Sequence, residues 1–230
     1  MIYITGDTHG DLERIDRLVF TVGSTIDDVL IILGDAGINY FGQAEDMEIK
    51  RQISLLPITL LCIHGNHEMR PENINTYTKT AWRGGTVYQE SEFPTLLFAK
   101  DGEIYNIEGR RCIAIGGAYS VDKFYRLRSG DNHWWPDEQP SEDIKRLVEA
   151  RLDAENWKVD IVLSHTCPHK YIPRHTFLQY VAQSTVDNST EKWLEYIEGR
   201  LTYDRWFCGH YHTNETIDKV RFMFEDVIGL

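Results

Sequence analysis

Apolar positions along this chain follow two alternating rhythms. Short runs such as Ile2-Tyr3-Ile4-Thr5, Val29–Leu33 and Ile58–Ile63 are continuously apolar and rich in β-branched residues, as strands buried on both faces are. Between them, residues 12–19 and 43–55 space apolar side chains at helical intervals. Leu12, Ile15, Leu18 and Val19 fall on one helix face, and Asp11 before them is placed to cap that helix. The first 65 residues therefore predict β-α-β-α-β, with polar residues arriving as each strand ends. In sheets of this kind ligands bind at those ends.

The middle of the chain changes rhythm. Thr95–Ala99, Glu103–Ile107 and Arg111–Ile115 read as strands joined at Asp101-Gly102 and Glu108-Gly109, hence as antiparallel hairpins. Residues 119–140 carry aromatic and basic side chains without a clean period. They are expected to form an irregular, substrate-facing loop, since long irregular connections are often functional. Ser141 begins a helix reaching about Trp157. Asp160–Leu163 and Arg205–Cys208 are strands, residues 189–200 a helix, and Arg221–Glu225 a closing strand. With no repeat or linker, residues 1–230 read as one α/β domain.

Charge and cysteine content narrow the partners. A net charge of -12 disfavours general nucleic-acid binding, which needs a basic face. Cys62, Cys112, Cys167 and Cys208 are widely spaced, three in apolar runs, and read as buried free thiols. No apolar run approaches a membrane span, and the first residues enter a strand directly, so a cytoplasmic protein without membrane association is expected.

Five polar clusters occupy the strand ends: Gly6-Asp7-Thr8-His9-Gly10, Gly34-Asp35, Gly65-Asn66-His67-Glu68, Ser164-His165 and Gly209-His210-Tyr211-His212. Any one is ordinary as a turn; five in order supply oxygen and nitrogen donors for two metal ions. Asp7 and His9 are two residues apart and can face one side, as can His210 and His212. The assignment drawn from these residues groups Asp7, His9, Asp35 and His212 around one ion. Asp35, Asn66, His165 and His210 surround the other, with Asp35 bridging. A hydroxide between such ions attacks phosphorus. His67, pointing elsewhere by alternation, is the candidate proton donor to the leaving oxygen, held by Glu68 or another carboxylate.

As an ordered set these motifs resemble the calcineurin-like metallophosphoesterase superfamily over residues 6–212. The resemblance implies a four-layer αββα sandwich with mixed sheets, a binuclear Mn, Fe or Zn centre with the ligands just named, and a catalytic role for His67. Manganese is the expected ion, with Ni and Co also compatible with such donors. Two departures from the protein phosphatase branch stand out. Asp35 is followed by Ala36-Gly37-Ile38 without that branch's arginine, and His64 stands where it has another. Both argue against protein-phosphatase activity.

Arg70, Arg126 and Arg128 are candidate substrate-binding residues, because guanidinium pairs bidentately with phosphate. The competing reading is a solvated basic surface. The expected substrate is a small phosphomonoester or nucleotide. The alternatives are a diesterase acting on cyclic nucleotides or nucleic-acid ends, for which Trp134 and Trp135 would stack bases, and a non-catalytic scaffold.

Overall fold

The computed structural model describes residues 1–130 and 133–230, and for Gln43 the backbone alone. One sheet begins with three parallel strands, β1 (Ile2–Thr5), β2 (Val29–Ile32) and β3 (Thr59–Cys62). They are linked through helices α1 (Leu12–Val22) and α2 (Gln43–Ser54). A hairpin, β4 (Thr78–Trp82) and β5 (Gly85–Gln89), and then β6 (Leu96–Ala99) extend the sheet beyond β3. The second sheet takes β7 (Ile104–Ile107), β8 (Arg110–Ile115), β9 (Ile161–Ser164), β10 (Arg205–Cys208), β11 (Glu215–Ile217) and β12 (Val220–Phe222). Finally β13 (Val227–Gly229) returns to pair antiparallel with β1. The orders are β13-β1-β2-β3-β6-β5-β4 and β11-β12-β10-β9-β8-β7.

Strand alternation builds three apolar layers. Ile2, Ile4, Val29, Ile31 and Leu33 meet Cys112, Ala114, Ile161 and Leu163 between the sheets. The opposite faces of the same strands, Leu30, Ile32, Leu60 and Cys62, pack on Ile15 of α1 and Ile53 of α2. On the far side, Val162 and Trp206 pack on helices α4 (Glu142–Ala154) and α5 (Ser189–Glu198) through Val148, Leu152, Leu194 and Ile197. The layers are therefore α, β, β, α, with both sheets mixed, as the resemblance implies.

Local signals hold where their chemistry is direct. Asp11 accepts a hydrogen bond from the Arg14 amide and Ser141 one from the Ile144 amide, capping α1 and α4. All four cysteines are buried free thiols. No helix among the described residues is long and apolar enough to cross a membrane.

Three expectations are corrected. The Asp101-Gly102 turn does not make a hairpin: β6 and β7 belong to different sheets, so the turn carries the chain across the core. The stretch at 119–140 is not wholly irregular, because Lys123–Ser129 forms a short helix, α3, closed by Gly130 in the left-handed conformation. Residues 131–132 of that stretch lie outside the described residues. The closing strand expected over Arg221–Glu225 is the shorter β12, and the strand that finishes the chain is β13.

Candidate active site

The five polar clusters converge where β1, β2 and β3 of one sheet and β9 and β10 of the other end. Asp7, Asp35, Asn66 and His165 are each no more than 2% exposed there. His9 and His212 lie at the rim, with side chains 37% and 49% exposed. His9, Asp35, His210 and His212 all adopt positive φ, 47°, 49°, 68° and 48°. This backbone region costs on the order of 1–3 kcal/mol for such residues, and such strain concentrates at functional sites. Two glycines preceding the clusters are required by close approach. A Cβ on Gly65 would sit 2.0 Å from Asp35 Oδ1, and one on Gly209 2.1 Å from Asp7 Oδ1.

Hydrogen bonds aim the donor atoms. His165 Nδ1 lies 2.7 Å from the Leu33 carbonyl oxygen, which can only accept, so that nitrogen carries the proton. In the neutral ring Nε2 then presents a lone pair, 2.8 Å from Asn66 Oδ1 and 3.6 Å from Asp35 Oδ1. The Asn66 amide donates to Ser120 Oγ at 2.9 Å, which turns its carbonyl oxygen inward. Three acceptors thus face one another in a buried space, an arrangement that a cation satisfies. Beside them, His212 Nε2 is 3.2 Å from Asp7 Oδ2 and 3.1 Å from His9 Nε2.

Ligand-capable atoms of Asp7, His9 and His212 lie within 4.8 Å of one another, as do those of Asp7, Asp35 and His165, and those of His9, Asp35 and His67. Asp7, His9 and Asp35 each belong to two of these groups. His210 enters none of them. Its ring sits edge-on to that of His165 with centroids 5.0 Å apart, and its amide donates to Asp7 Oδ1 at 2.9 Å.

The electrostatics keep the two buried carboxyls anionic. Burial opposes charge on Asp7 and Asp35. When protonated, the surrounding histidines outweigh it, chiefly His212 for Asp7 and His165 for Asp35, and both carboxyls are then held below their usual range. Burial lowers His210 to about 3, so it is neutral, as a metal-ligating imidazole must be. His212 is raised, first by its hydrogen bond to Asp7.

His67 stands outside the acceptor cluster, with its amide donating to Asp35 Oδ1 at 2.8 Å. Its ring touches the Arg126 guanidinium on one side and stacks at 14° and 6.2 Å on Tyr40 on another. Arg126 is 5% exposed, because α3 turns it inward. Its Nε donates to Asp122 Oδ2 at 2.7 Å and its Nη1 to the His133 carbonyl at 2.9 Å. Burial, opposed by Asp35 and assisted by Arg126, lowers the His67 pKa.

Several assignments made from sequence move. Glu68 does not hold His67; its carboxylate accepts from the Gly65 amide at 2.6 Å and the Ala36 amide at 3.2 Å, bracing the two loops that carry Asn66 and Asp35. The carboxylate beside His67 is instead Asp122, whose Oδ1 lies 4.0 Å from Nε2. Arg70 does not face the site. It is 3% exposed, donates to Asp101 Oδ2 at 2.7 Å and to the Asp137 carbonyl at 2.8 Å, and so pins the 137 region to the turn after β6. Arg128 is exposed on α3. His169 faces Glu195 at 3.6 Å. Tyr40 and Asp122 were not singled out from sequence. No motif marks either one: Tyr40 reaches the site from the loop after β2 by stacking on His67, and Asp122 from the start of α3. His133 packs its ring on Tyr40, with centroids 4.9 Å apart.

A sequence profile of the calcineurin-like phosphoesterase family matches residues 1–214. The chain belongs to that family, whose chemistry is metal-dependent hydrolysis of phosphate esters. No curated protein matches it. Among solved structures it is similar to a protein of unknown function from Aquifex aeolicus, at 18% identity and a TM-score of 0.33, covering 72% of this chain and 80% of that one.

Proposed function

We propose that this chain is a two-metal phosphomonoesterase acting on a small phosphorylated substrate or nucleotide in the cytoplasm. The observation that carries the reading is the set of buried acceptors, His165 Nε2, Asn66 Oδ1 and Asp35 Oδ1, facing one another. Asp7, His9, Asp35 and His212 would hold one ion, and Asp35, Asn66, His165 and His210 the other. Manganese is the expected ion, and Fe, Zn, Ni or Co are compatible with this nitrogen–oxygen donor set. When bound, such ions supply Lewis acidity at phosphoryl oxygen and a hydroxide nucleophile at neutral pH.

The chain's own residues then have distinct tasks. Asp7 and Asp35 fix the histidines around them and carry the negative charge that would hold the cations. Arg126, placed by Asp122 and the His133 carbonyl, offers positive charge beside His67 for a monoester's second negative charge. His67 donates the proton to the leaving oxygen. The arriving phosphate favours its imidazolium form, because a nearby negative charge raises a histidine pKa. Arg128, at the exposed end of α3, is a secondary contact for substrate charge.

The test is turnover of p-nitrophenyl phosphate against bis-p-nitrophenyl phosphate by stripped protein reloaded with Mn²⁺. Preference for the monoester is expected. A large preference for the diester replaces this reading with a phosphodiesterase.

A further inference from the structure

A second concavity lies beyond Asp122 from the one that holds His67. The first, about 140 Å³, is lined by His9, Gly37, Tyr40, Phe41 and His67. The second, about 520 Å³, lies between α3 and the segment that follows β9. Its lining includes Val121, Asp122, Tyr125, Leu178, Tyr180 and Ala182. Asp122 joins them: it lines the larger cavity, its Oδ1 is 4.0 Å from His67 Nε2, and its Oδ2 holds Arg126. The larger cavity therefore has one lining residue, Asp122, within 4.0 Å of His67, the proposed proton donor. The smaller one lies toward His9.

The larger cavity suits one kind of occupant. Its volume is that of a small-molecule site and far exceeds what a phosphoryl group needs. No lysine or arginine lines it, and its one charge is a carboxylate already paired with Arg126, so an anionic leaving group is disfavoured. Two aromatic rings stand ready with little else covering them: Tyr125 is 72% exposed and Tyr180 84%. Leu178 and Val121 are 46% and 43% exposed beside them. Solvent-facing tyrosines and aliphatic side chains around a concavity stack or sandwich planar uncharged rings.

We infer that this cavity is the leaving-group subsite, and that the substrate is a phosphomonoester whose alcohol carries a planar, uncharged ring system. The inference rests on the phosphomonoesterase reading and adds to it the class of alcohol. A nucleoside and a larger phenol share the required chemistry. Tyr125 and Tyr180 are specificity residues, since they touch the part of the substrate that does not react.

The test uses the Mn²⁺-loaded protein and two matched pairs of esters, so that leaving-group basicity cancels. Adenosine 5′-monophosphate is compared with ribose 5-phosphate, and 4-biphenylyl phosphate with phenyl phosphate. Within at least one pair the ring-bearing ester is expected to have a kcat/KM higher by roughly ten- to a hundredfold, the range of a base stacked on an aromatic side chain. That ratio should fall toward one in Tyr125→Ala and in Ala182→Trp, which fills the cavity. Because each variant is read as a ratio, a general loss of activity does not imitate the result. A high ratio in the first pair identifies a nucleoside, and in the second a phenol. Ratios near one in the unaltered protein, or high ratios that both variants retain, overturn the inference alone. Absence of turnover on all four esters overturns the monoesterase reading, and this inference with it.

Discussion

His165 is oriented by Leu33: its Nδ1 donates to that carbonyl across the gap between the two sheets at 2.7 Å. The bond fixes the tautomer, and Nε2 is left facing the Asn66 oxygen and Asp35. A strand end in one sheet thus aims a side chain from the other, which makes the candidate metal centre a property of the sandwich rather than of either sheet. The Leu33 carbonyl cannot be mutated away, but its partners can. His165→Ala should lower affinity for Mn²⁺ at least tenfold, and Asn66→Ala should do so less, since it removes a neutral donor. Isothermal titration with Mn²⁺ measures both; unchanged affinity in His165→Ala would remove that residue from the site.

The neighbours of His67 separate proton donation from positioning. His67→Asn should cut kcat by roughly 10²- to 10⁴-fold, the usual worth of a general acid, while metal content is retained. Asp122→Asn should cost less, about tenfold, and move the alkaline limb of the pH–rate profile to lower pH, because the Asp122 charge beside His67 favours its imidazolium form. Equal kcat and an identical pH profile in Asp122→Asn would sink its positioning role.

Arg70 gives a prediction of the opposite kind. Removing one partner of a buried ion pair costs about 3–5 kcal/mol, and Arg70 and Asp101 are both buried and 2.7 Å apart. Arg70→Met should lower stability by that order in urea titration and leave KM for a phosphomonoester unchanged. A raised KM with unchanged stability would restore the substrate-binding role.

Glu191 links stability to pH. Buried in α5 with one carboxylate oxygen accepting from Thr166 Oγ1 and the other without a partner among the described residues, it is raised by burial to about 7 from 4.5. The folded state therefore favours its protonated form. Its contribution to stability is full below pH 4.5 and declines as pH rises toward 7. The amount lost is roughly 3 kcal/mol, since a tenfold change in proton affinity is worth about 1.4 kcal/mol. Glu191→Gln should flatten the wild-type decline over about pH 5–7 and be the more stable protein at about pH 8. Parallel stability–pH curves for the two proteins would show that Glu191 is ionised at no such cost.

Some of this architecture is legible in the sequence for plain reasons. β2 and β10 are buried strands whose apolar runs admit one reading, and Asp7, Asp35, Asn66 and His165 each follow such a run at its end. Other parts give weak or misleading signals. β4 is exposed along most of its length, so Thr78–Trp82 shows no apolar face to recognise. The Asp101-Gly102 turn has hairpin chemistry, yet it connects different sheets, because tertiary packing and not the turn decides where the next strand goes. α3 spans only seven residues, too short for periodicity to emerge. Arg70 lies three residues from His67 in sequence, and only the fold shows that it points into the protein toward Asp101.

Manganese binding to stripped protein, followed alongside phosphomonoester turnover, tests the central claim most directly. The account predicts two equivalents bound, no turnover before metal is added, and activity that returns as the sites fill. A folded protein that binds no Mn²⁺, or one that hydrolyses the ester equally well without metal, would contradict it.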